Sequence, residues 1–206
     1  SVSEPSEGEN ATDHDSAGCQ DDSAEDPDDD NDGVEDTSDD CARGDLGWVS
    51  VSEPSEGENA TDYDFDGCQD DSAEDLDDDN DGVEDTADDC FQGLLGWTSN
   101  ATTDHDSDGC QDGSAEDHDN DNDGVTNAVD DCAQGLLGWE SDATTDHDSD
   151  GCQDESSEDL DDDNDGVIDG MDGCALGLTD WESDVTTDHD SDGCQDASSE
   201  DLDDDN

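Results

Sequence analysis

Hydrophobic residues along this chain recur neither every three to four positions nor every second position. No stretch sustains the 3.6-residue rhythm of an amphipathic helix, and none alternates cleanly over the length of a strand. Runs of Asp, Asn, Gly and Ser separate short apolar clusters, of which "GLLGW" at 93–97 and again at 135–139 is the densest. These polar residues are turn formers: Asp, Asn and Ser bond to nearby backbone, and Gly and Asn admit positive φ. The pattern predicts an irregular fold with little regular secondary structure.

The rhythm that does exist is long. Cys19, Cys41, Cys68, Cys90, Cys110, Cys132, Cys152, Cys174 and Cys194 are separated by 22, 27, 22, 20, 22, 20, 22 and 20 residues. The period is therefore 42 residues, with one unit lengthened to 49. Repetition on this scale predicts a linear array whose units touch mainly their neighbours. The units are a partial connector (1–12), a repeat with a long connector (13–61), three further repeats (62–103, 104–145 and 146–187) and a partial fifth (188–206). The 22-residue interval never varies, whereas the connector does, as a tolerant surface loop would. The sequence starts and stops inside a unit, which predicts a segment of a longer array.

Composition sharpens the problem. Of 206 residues, 74 are acidic and one, Arg43, is a lysine or arginine, giving a formal net charge of -73. Only 25% are hydrophobic. Such a chain cannot bury enough apolar surface to offset its ordering entropy, so composition alone predicts disorder. The cysteines and the patterning of the acids oppose that, because modules without a core are held by disulfides and metals. Two carboxylates about 5 Å apart repel by roughly 0.8 kcal/mol even in water, so a compact form needs cations. The charge excludes nucleic acid as a partner. It also excludes anionic membranes, and no apolar run is long enough for membrane insertion. Cysteine usage predicts an extracellular or cell-surface setting.

One motif supplies the cation chemistry. Asp161, Asp163, Asp165, Gly166, Asp169 and Asp172 fit D-x-D-x-D-G-x-x-D-x-x-D. Calcium takes six to eight hard oxygens. Alternate residues of a tight turn can supply three, at positions 1, 3 and 5. Glycine at 6 lets the backbone reverse, and the carbonyl at 7 with the acids at 9 and 12 completes the shell. The pattern recurs as Asp28, Asp30, Asp32, Asp36, Asp39, as Asp77, Asp79, Asp81, Asp85, Asp88, and as Asp119, Asp121, Asp123, Asn127, Asp130. A last copy runs to Asp203 and Asp205. Four complete copies in register with cysteines predict Ca2+ as the cofactor, with more than one ion per repeat.

A second loop class, "DHDSDGCQD", places its acid one residue late, after position 12. Its members are Asp62, Asp64, Asp66, Asp70 and Glu74; Asp104, Asp106, Asp108, Asp112 and Glu116; Asp146, Asp148, Asp150, Asp154 and Glu158; and Asp188, Asp190, Asp192, Asp196 and Glu200. The first copy has Ala17 at position 5, leaving Asp13, Asp15, Asp21 and Glu25, which predicts a weak or altered site. His14, His105, His147 and His189 hold position 2, with Tyr63 in the remaining copy, and are expected to face solvent. Trp48, Trp97, Trp139 and Trp181 are expected to form small satellite cores with the connector leucines. The sequons at Asn10, Asn59 and Asn100 offer glycosylation sites in exposed connectors.

The alternation of these two Asp-rich motifs, with a cysteine two residues after position 12 and a 20-residue spacing to the next cysteine, resembles the thrombospondin type 3 repeat over nearly the whole chain. The second class departs from that family, because its cysteine directly follows the glycine, as in Asp150-Gly151-Cys152. The resemblance implies a chain wound around calcium ions. It also implies the disulfides Cys41–Cys68, Cys90–Cys110, Cys132–Cys152 and Cys174–Cys194, with Cys19 bonded upstream. Spacing alone leaves open the pairing Cys19–Cys41, Cys68–Cys90, Cys110–Cys132 and Cys152–Cys174. No nucleophile–base pairing or open metal site is legible, so the chain is not expected to be an enzyme. The expected function is structural: a calcium- and disulfide-stabilised tandem-repeat rod acting as a stalk, spacer or fibre segment that self-associates into fibres and carries glycans. An adhesin whose connectors or glycans contact a partner, and a low-affinity calcium sponge or mineral matrix protein, are the alternatives.

Overall fold

A computed structural model describes residues 13–16, 18–21, 24, 26–52, 60–70, 72–196 and 198–201. Asn10, Asn59, Glu25, Asp203 and Asp205 lie outside the described residues. Among the described residues there is no helix and no strand. The irregular fold read from the absent periodicity is therefore the observed one. Two compact units divide the chain: Ser1–Ser99 with Ser107–Gln111, and Asn100–Asp106 with Asp112–Asn206. Cys41–Cys68 and Cys90–Cys110 fasten the first; Cys132–Cys152 and Cys174–Cys194 fasten the second. These are the four pairs that the resemblance implies. Cys19 has no disulfide partner among the described residues.

Each disulfide is flanked by a backbone bond that sets the two strands of chain in register. The Asp40 N–H donates to Asp66 O and that of Asp89 to Asp108 O, both at 2.7 Å, in the first unit. Asp131 bonds Asp150 O at 2.8 Å and Gly173 bonds Asp192 O at 2.6 Å in the second. The covalent link and the hydrogen bond together hold the end of one regular loop against the cysteine-bearing loop that follows.

The interior of each unit inverts the usual order. Among the described residues the buried hydrophobic side chains are Val34, Cys68, Cys110, Cys152 and Cys194. Every one of the most deeply enclosed side chains is an aspartate, including Asp32, Asp62 and Asp81 in the first unit and Asp123, Asp146 and Asp165 in the second. The apolar connector residues stay outside. Leu94 and Leu136 are each 46% exposed, so the leucines do not build the satellite cores expected of them. The tryptophans are half-buried, with the indole N–H of Trp48, Trp97, Trp139 and Trp181 enclosed. A connector held by glycine turns has no second apolar layer to pack on, and carboxylates fill the interior instead.

Backbone conformation explains the loop sequence. Position 4 of both loop classes takes positive φ: Asn31, Asn80, Asn122 and Asn164 in the regular loops, and Ser16, Phe65, Ser107, Ser149 and Ser191 in the cysteine loops. Asn tolerates this region better than most residues, which accounts for the invariant Asn of "DNDG". Position 6 is glycine with φ of 95° at Gly166 and 87° at Gly151. The two glycines differ in surroundings. A Cβ at Gly166 would meet nothing within 4 Å, whereas one at Gly151 would overlap the Asp130 carboxylate. Gly166→Ala should therefore cost only the backbone term, about 1–2 kcal/mol. Gly151→Ala should lower the thermal midpoint of the second unit further by displacing Asp130. Equal midpoints for the two variants, measured by calorimetry in calcium, would show that the Asp130 carboxylate does not lie against Gly151.

Candidate metal centres

In the regular loops, backbone N–H groups aim the carboxylates. In the fourth copy the Gly166 N–H donates to Asp161 Oδ2 (2.9 Å) and that of Asp165 to Asp163 Oδ1 (3.2 Å). The N–H groups of Val167 and Cys174 donate to Asp165 Oδ1 and Asp172 Oδ1, at 2.7 and 2.6 Å. The connector supplies one more donor, Gly177 N–H to Asp163 Oδ2 at 2.9 Å. The carboxylates of positions 1, 5 and 12 are thus each fixed through one oxygen with the other left over, whereas Asp163 at position 3 accepts through both. Asp161 Oδ1, Asp165 Oδ2 and Asp172 Oδ2 are buried with no hydrogen-bond partner, as are Asp28 Oδ1, Asp32 Oδ2 and Asp39 Oδ2 in the first copy and Asp119 Oδ1, Asp123 Oδ2 and Asp130 Oδ2 in the third.

Buried carboxylate oxygens without donors cost several kcal/mol unless a cation meets them. Their chemistry fits a hard divalent ion, which takes oxygen ligands. Asp28, Asp30 and Asp32 bring ligand atoms within 4.8 Å of one another, as do Asp77, Asp79 and Asp81. These clusters can hold a metal ion.

The cysteine loops share the scaffold but satisfy more of their oxygens. Asp62, Asp64 and Asp66 also converge within 4.8 Å. Asp62, fully enclosed, accepts the Gly67 N–H (3.2 Å) and the Ser50 hydroxyl (2.5 Å) on Oδ2. The Asn80 amide donates to Asp64 Oδ2 and, at 2.9 Å, to Asp66 Oδ2. Asn164 does the same to Asp148 and Asp150 (2.8 Å), and Ser183 bonds Asp188 Oδ2 at 2.6 Å. In the first copy Asn31 donates to Asp15. Asp13 is exposed there, and Asp21 belongs to a different group, described next. In the third copy Asp104, Asp106 and Asp112 belong to the second unit and Asp108 to the first. In the fifth, Asp190 keeps both oxygens buried and without partners, and the Asp192 carboxylate accepts the Cys194 N–H at 3.0 Å.

A third kind of group is not apparent from either motif. Asp70, Asp75 and Asp78 converge within 4.8 Å, all buried, and so do Asp21, Asp26 and Asp29. Each draws on position 9 of a cysteine loop, the aspartate of "SxED", and position 2 of a regular loop. Position 9 of the regular loop sits with this group: the Asp78 N–H donates to Asp85 Oδ1 at 2.9 Å, and the Asp162 N–H to Asp169 Oδ1 at 3.0 Å. Asn127 does the equivalent for Asn120 at 3.0 Å, and Asp36 for Asp29 at 2.8 Å. Position 9 of the cysteine loop likewise caps position 2, with Tyr63 N–H on Asp70 and His189 N–H on Asp196. Asp154 and His147 repeat this at 3.1 Å, and Asp112 accepts the His105 N–H at the same distance.

The late glutamates hold the connectors. Both oxygens of Glu74 accept backbone N–H groups, from Asp45 at 2.8 Å and Gln69 at 3.3 Å. Glu158 takes Leu136 and Gln153, and Glu200 takes Leu178 and Gln195. The Glu116 backbone N–H donates to the Ser114 hydroxyl oxygen at 3.0 Å. Position 2 of the cysteine loops does not simply face solvent, contrary to expectation. His105 Nε2 lies 2.9 Å from Gly135 O, His147 Nε2 is 2.8 Å from Gly177 O and His14 Nε2 is 3.0 Å from Gly44 O. Tyr63 donates its hydroxyl to Gly93 O at 2.8 Å. Because a carbonyl only accepts, each histidine must carry its proton on Nε2, and the shared need for a donor explains why tyrosine can replace histidine. Asn100 is exposed and caps a turn through Oδ1 to the Thr102 N–H (3.1 Å), as Asp142 does with Thr144 (2.8 Å).

Crowding raises the proton affinity of the carboxylates. Burial, then the charges of neighbouring aspartates, pushes Asp39 and Asp88 up to about 7 and Asp165 and Asp172 up to about 6. Asp88 feels Asp79, Asp81 and Asp77, while Asp78 feels Asp70, Asp85 and Asp75, which separates the regular group from the third group. Asp32 feels Asp62 and Asp123 feels Asp146, so position 1 of the next cysteine loop borders the regular group. No protein-family model matches the chain, and no curated protein matches it.

The sign of the pH response follows. These aspartates bind protons more tightly in the folded state than at the ordinary value of 3.8. Without cations, their contribution to stability is complete below about 3.8 and lost as pH rises through 6 to 7. A cation competes for the same oxygens, so its affinity should fall as pH drops below 7. Adding calcium at pH 6.5 in weak buffer should release protons, and at pH 9 release almost none. Equal release at both would show that the oxygens are not shared between proton and cation.

Proposed function

We propose that the chain is an extracellular structural array in which calcium ions take the place of a hydrophobic core, serving as a stalk, spacer or fibre segment. The observation that carries this reading is the set of buried, backbone-fixed carboxylate oxygens without donors at positions 1, 5 and 12 of the first, third and fourth regular loops. Asp161, Asp163, Asp165 and Asp172 would hold one ion, and their counterparts in the other copies one each. The bound ion would supply positive charge and an organising centre for loops that have no other core.

Calcium is favoured over magnesium because an irregular turn supplies many oxygens at loosely fixed distances, whereas magnesium demands a near-octahedral shell. The disulfides support an oxidising compartment, and among the described residues no helix is long and apolar enough to cross a membrane. The 42-residue repetition of the sequence supports a rod of similar units joined in series. Self-association into fibres is supported by the exposed connector leucines, Leu95 and Leu137, each 50% exposed and recurring at the repeat period. The same exposure favours adhesion as the second reading, with the connectors as the contact surface.

Small-angle scattering tests the central claim. The radius of the chain should fall sharply between micromolar and millimolar calcium, and much less with magnesium. An unchanged radius across the titration rules out the calcium reading. Asp165→Ala removes a fully buried ligand. It should lose one bound ion and loosen its own repeat while distant repeats stay ordered, as hydrogen exchange would report. Loss of protection along the whole chain would contradict the array.

A further inference from the structure

Arg43 is the only lysine or arginine in the sequence, and its position is specific. Its Nε lies 3.1 Å from Asp29 Oδ2 and 3.5 Å from Asp21 Oδ2. Two residues after the corresponding cysteine in the next copy stands Gln92. Its Nε2 donates to Asp78 Oδ2 and Asp70 Oδ2, both at 3.0 Å. The acceptor atoms correspond one for one: Asp70 is the counterpart of Asp21, and Asp78 of Asp29. The same place is Gln134 in the third copy, bonding Asp112 Oδ2 at 2.6 Å, and Leu176 in the fourth, which offers no donor.

We infer that Arg43 is a built-in cation that takes over, in the first copy, the charge-neutralising role that a divalent ion fills at Asp70, Asp75 and Asp78 in the second. The inference rests on the calcium reading proposed above and extends it to the third group. Two observations beyond the clustering of acids point to a ligand there. Asp75 and Asp78 are 7% and 4% exposed, yet Asp75 Oδ2 and Asp78 Oδ1 are buried without any hydrogen-bond partner. In the first copy, moreover, a cationic side chain lies on Asp29 Oδ2 and Asp21 Oδ2, the atoms whose counterparts accept from Gln92, beside Asp26 Oδ2 and Asp29 Oδ1, which have no hydrogen-bond partner.

Gln92 Nε2 and Arg43 Nε stand the same number of bonds from the backbone and face corresponding pairs of atoms, so they orient the carboxylates alike. They differ in charge. With Gln92 no fixed positive charge stands against the three carboxylates or against Asp85 beside them. With Arg43 one of those charges is met, and a divalent ion entering would face a fixed positive group. At a separation of about 6 Å, even in water's dielectric, that repulsion weakens binding by roughly tenfold. The fourth copy repeats the second copy's arrangement: Asp159 Oδ2 and Asp162 Oδ1 are buried and have no hydrogen-bond partner, with Leu176 in place of the glutamine. The third copy reaches a lower charge by a different route, carrying Asn120 and Asn127 where the second has Asp78 and Asp85.

The test is a calcium count on the full chain by equilibrium dialysis, with affinities from competition against a chelator. Arg43→Gln should add one tightly bound ion, or tighten one weak site by about tenfold. Gln92→Arg should remove one ion or weaken one site by a similar factor. Arg43→Lys, which keeps the charge, should match the wild type. If the wild type binds calcium and neither Arg43→Gln nor Gln92→Arg changes count or affinity, the inference is overturned and the calcium reading stands. If Arg43→Lys gains an ion as Arg43→Gln does, shape rather than charge governs the group, and the inference is again overturned. A wild-type chain that binds no calcium removes both readings together.

Discussion

Electrostatic repulsion between desolvated carboxylates is the constraint on which the rest of this structure depends. An ordinary domain gains stability by removing apolar surface from water. Here the most enclosed side chains are aspartates that would separate if nothing positive lay among them. The fold therefore does two things at once. Backbone N–H groups and serine hydroxyls take part of the negative charge, through bonds such as Gly166 to Asp161 and Ser50 to Asp62. Disulfides hold the loops close enough that the remaining oxygens face one another. Neither device removes the excess charge, so the arrangement favours cations.

Part of this was legible in the residues. The D-x-D-x-D-G spacing located positions 1, 3, 5 and 12, because a tight turn leaves few ways for alternate side chains to converge. The absence of helix or strand followed from missing periodicity. Position 9 was less legible. By spacing it belongs to the regular group, but its oxygen caps the N–H of position 2 and so lies beside the third group. That group combines residues from three motifs, and nothing in any one motif indicates it. A signal was nonetheless present: the aspartate of "SxED" recurs at 26, 75, 117, 159 and 201 without exception. Its invariance among the copies reflects burial rather than solvation at Asp26, Asp75, Asp117 and Asp159.

Long-range partners were harder to read still. The position-2 histidines reach a glycine carbonyl 30 residues downstream, and the late glutamates reach connector amides. The glutamates reach a segment that the disulfide brings near, as Cys41–Cys68 does for Glu74 and Asp45, whereas the histidine contacts span the regular loop, whose Asp163 itself accepts the Gly177 N–H. Glycine at 44, 135 and 177 has a spatial reason that its turn chemistry does not disclose, since a Cβ there would overlap the carboxylate of Glu74, Glu158 or Glu200. The leucines differ for a related reason: two adjacent apolar residues suggest packing, but Leu95 and Leu137 are each 50% exposed.

The disulfides also determine how the chain would carry a pulling force. Cys90–Cys110 closes a segment of sequence separation 20, and Cys41–Cys68 one of 27. Tension applied from the two ends would cross each sulfur–sulfur bond and bypass the connector inside it. The connector would bear no load, and an insertion such as that before Cys68 would leave the working length unchanged. All the extension would fall on the 22-residue stretches between one bond and the next, as from Cys68 to Cys90. Those stretches contain the regular aspartate loops, such as Asp77 to Asp88, whereas positions 1, 3 and 5 of the cysteine loops lie inside the bypassed segments. The strength of such a tether would then be set by the ionic composition of its surroundings, and a chelator would act on it as a softener.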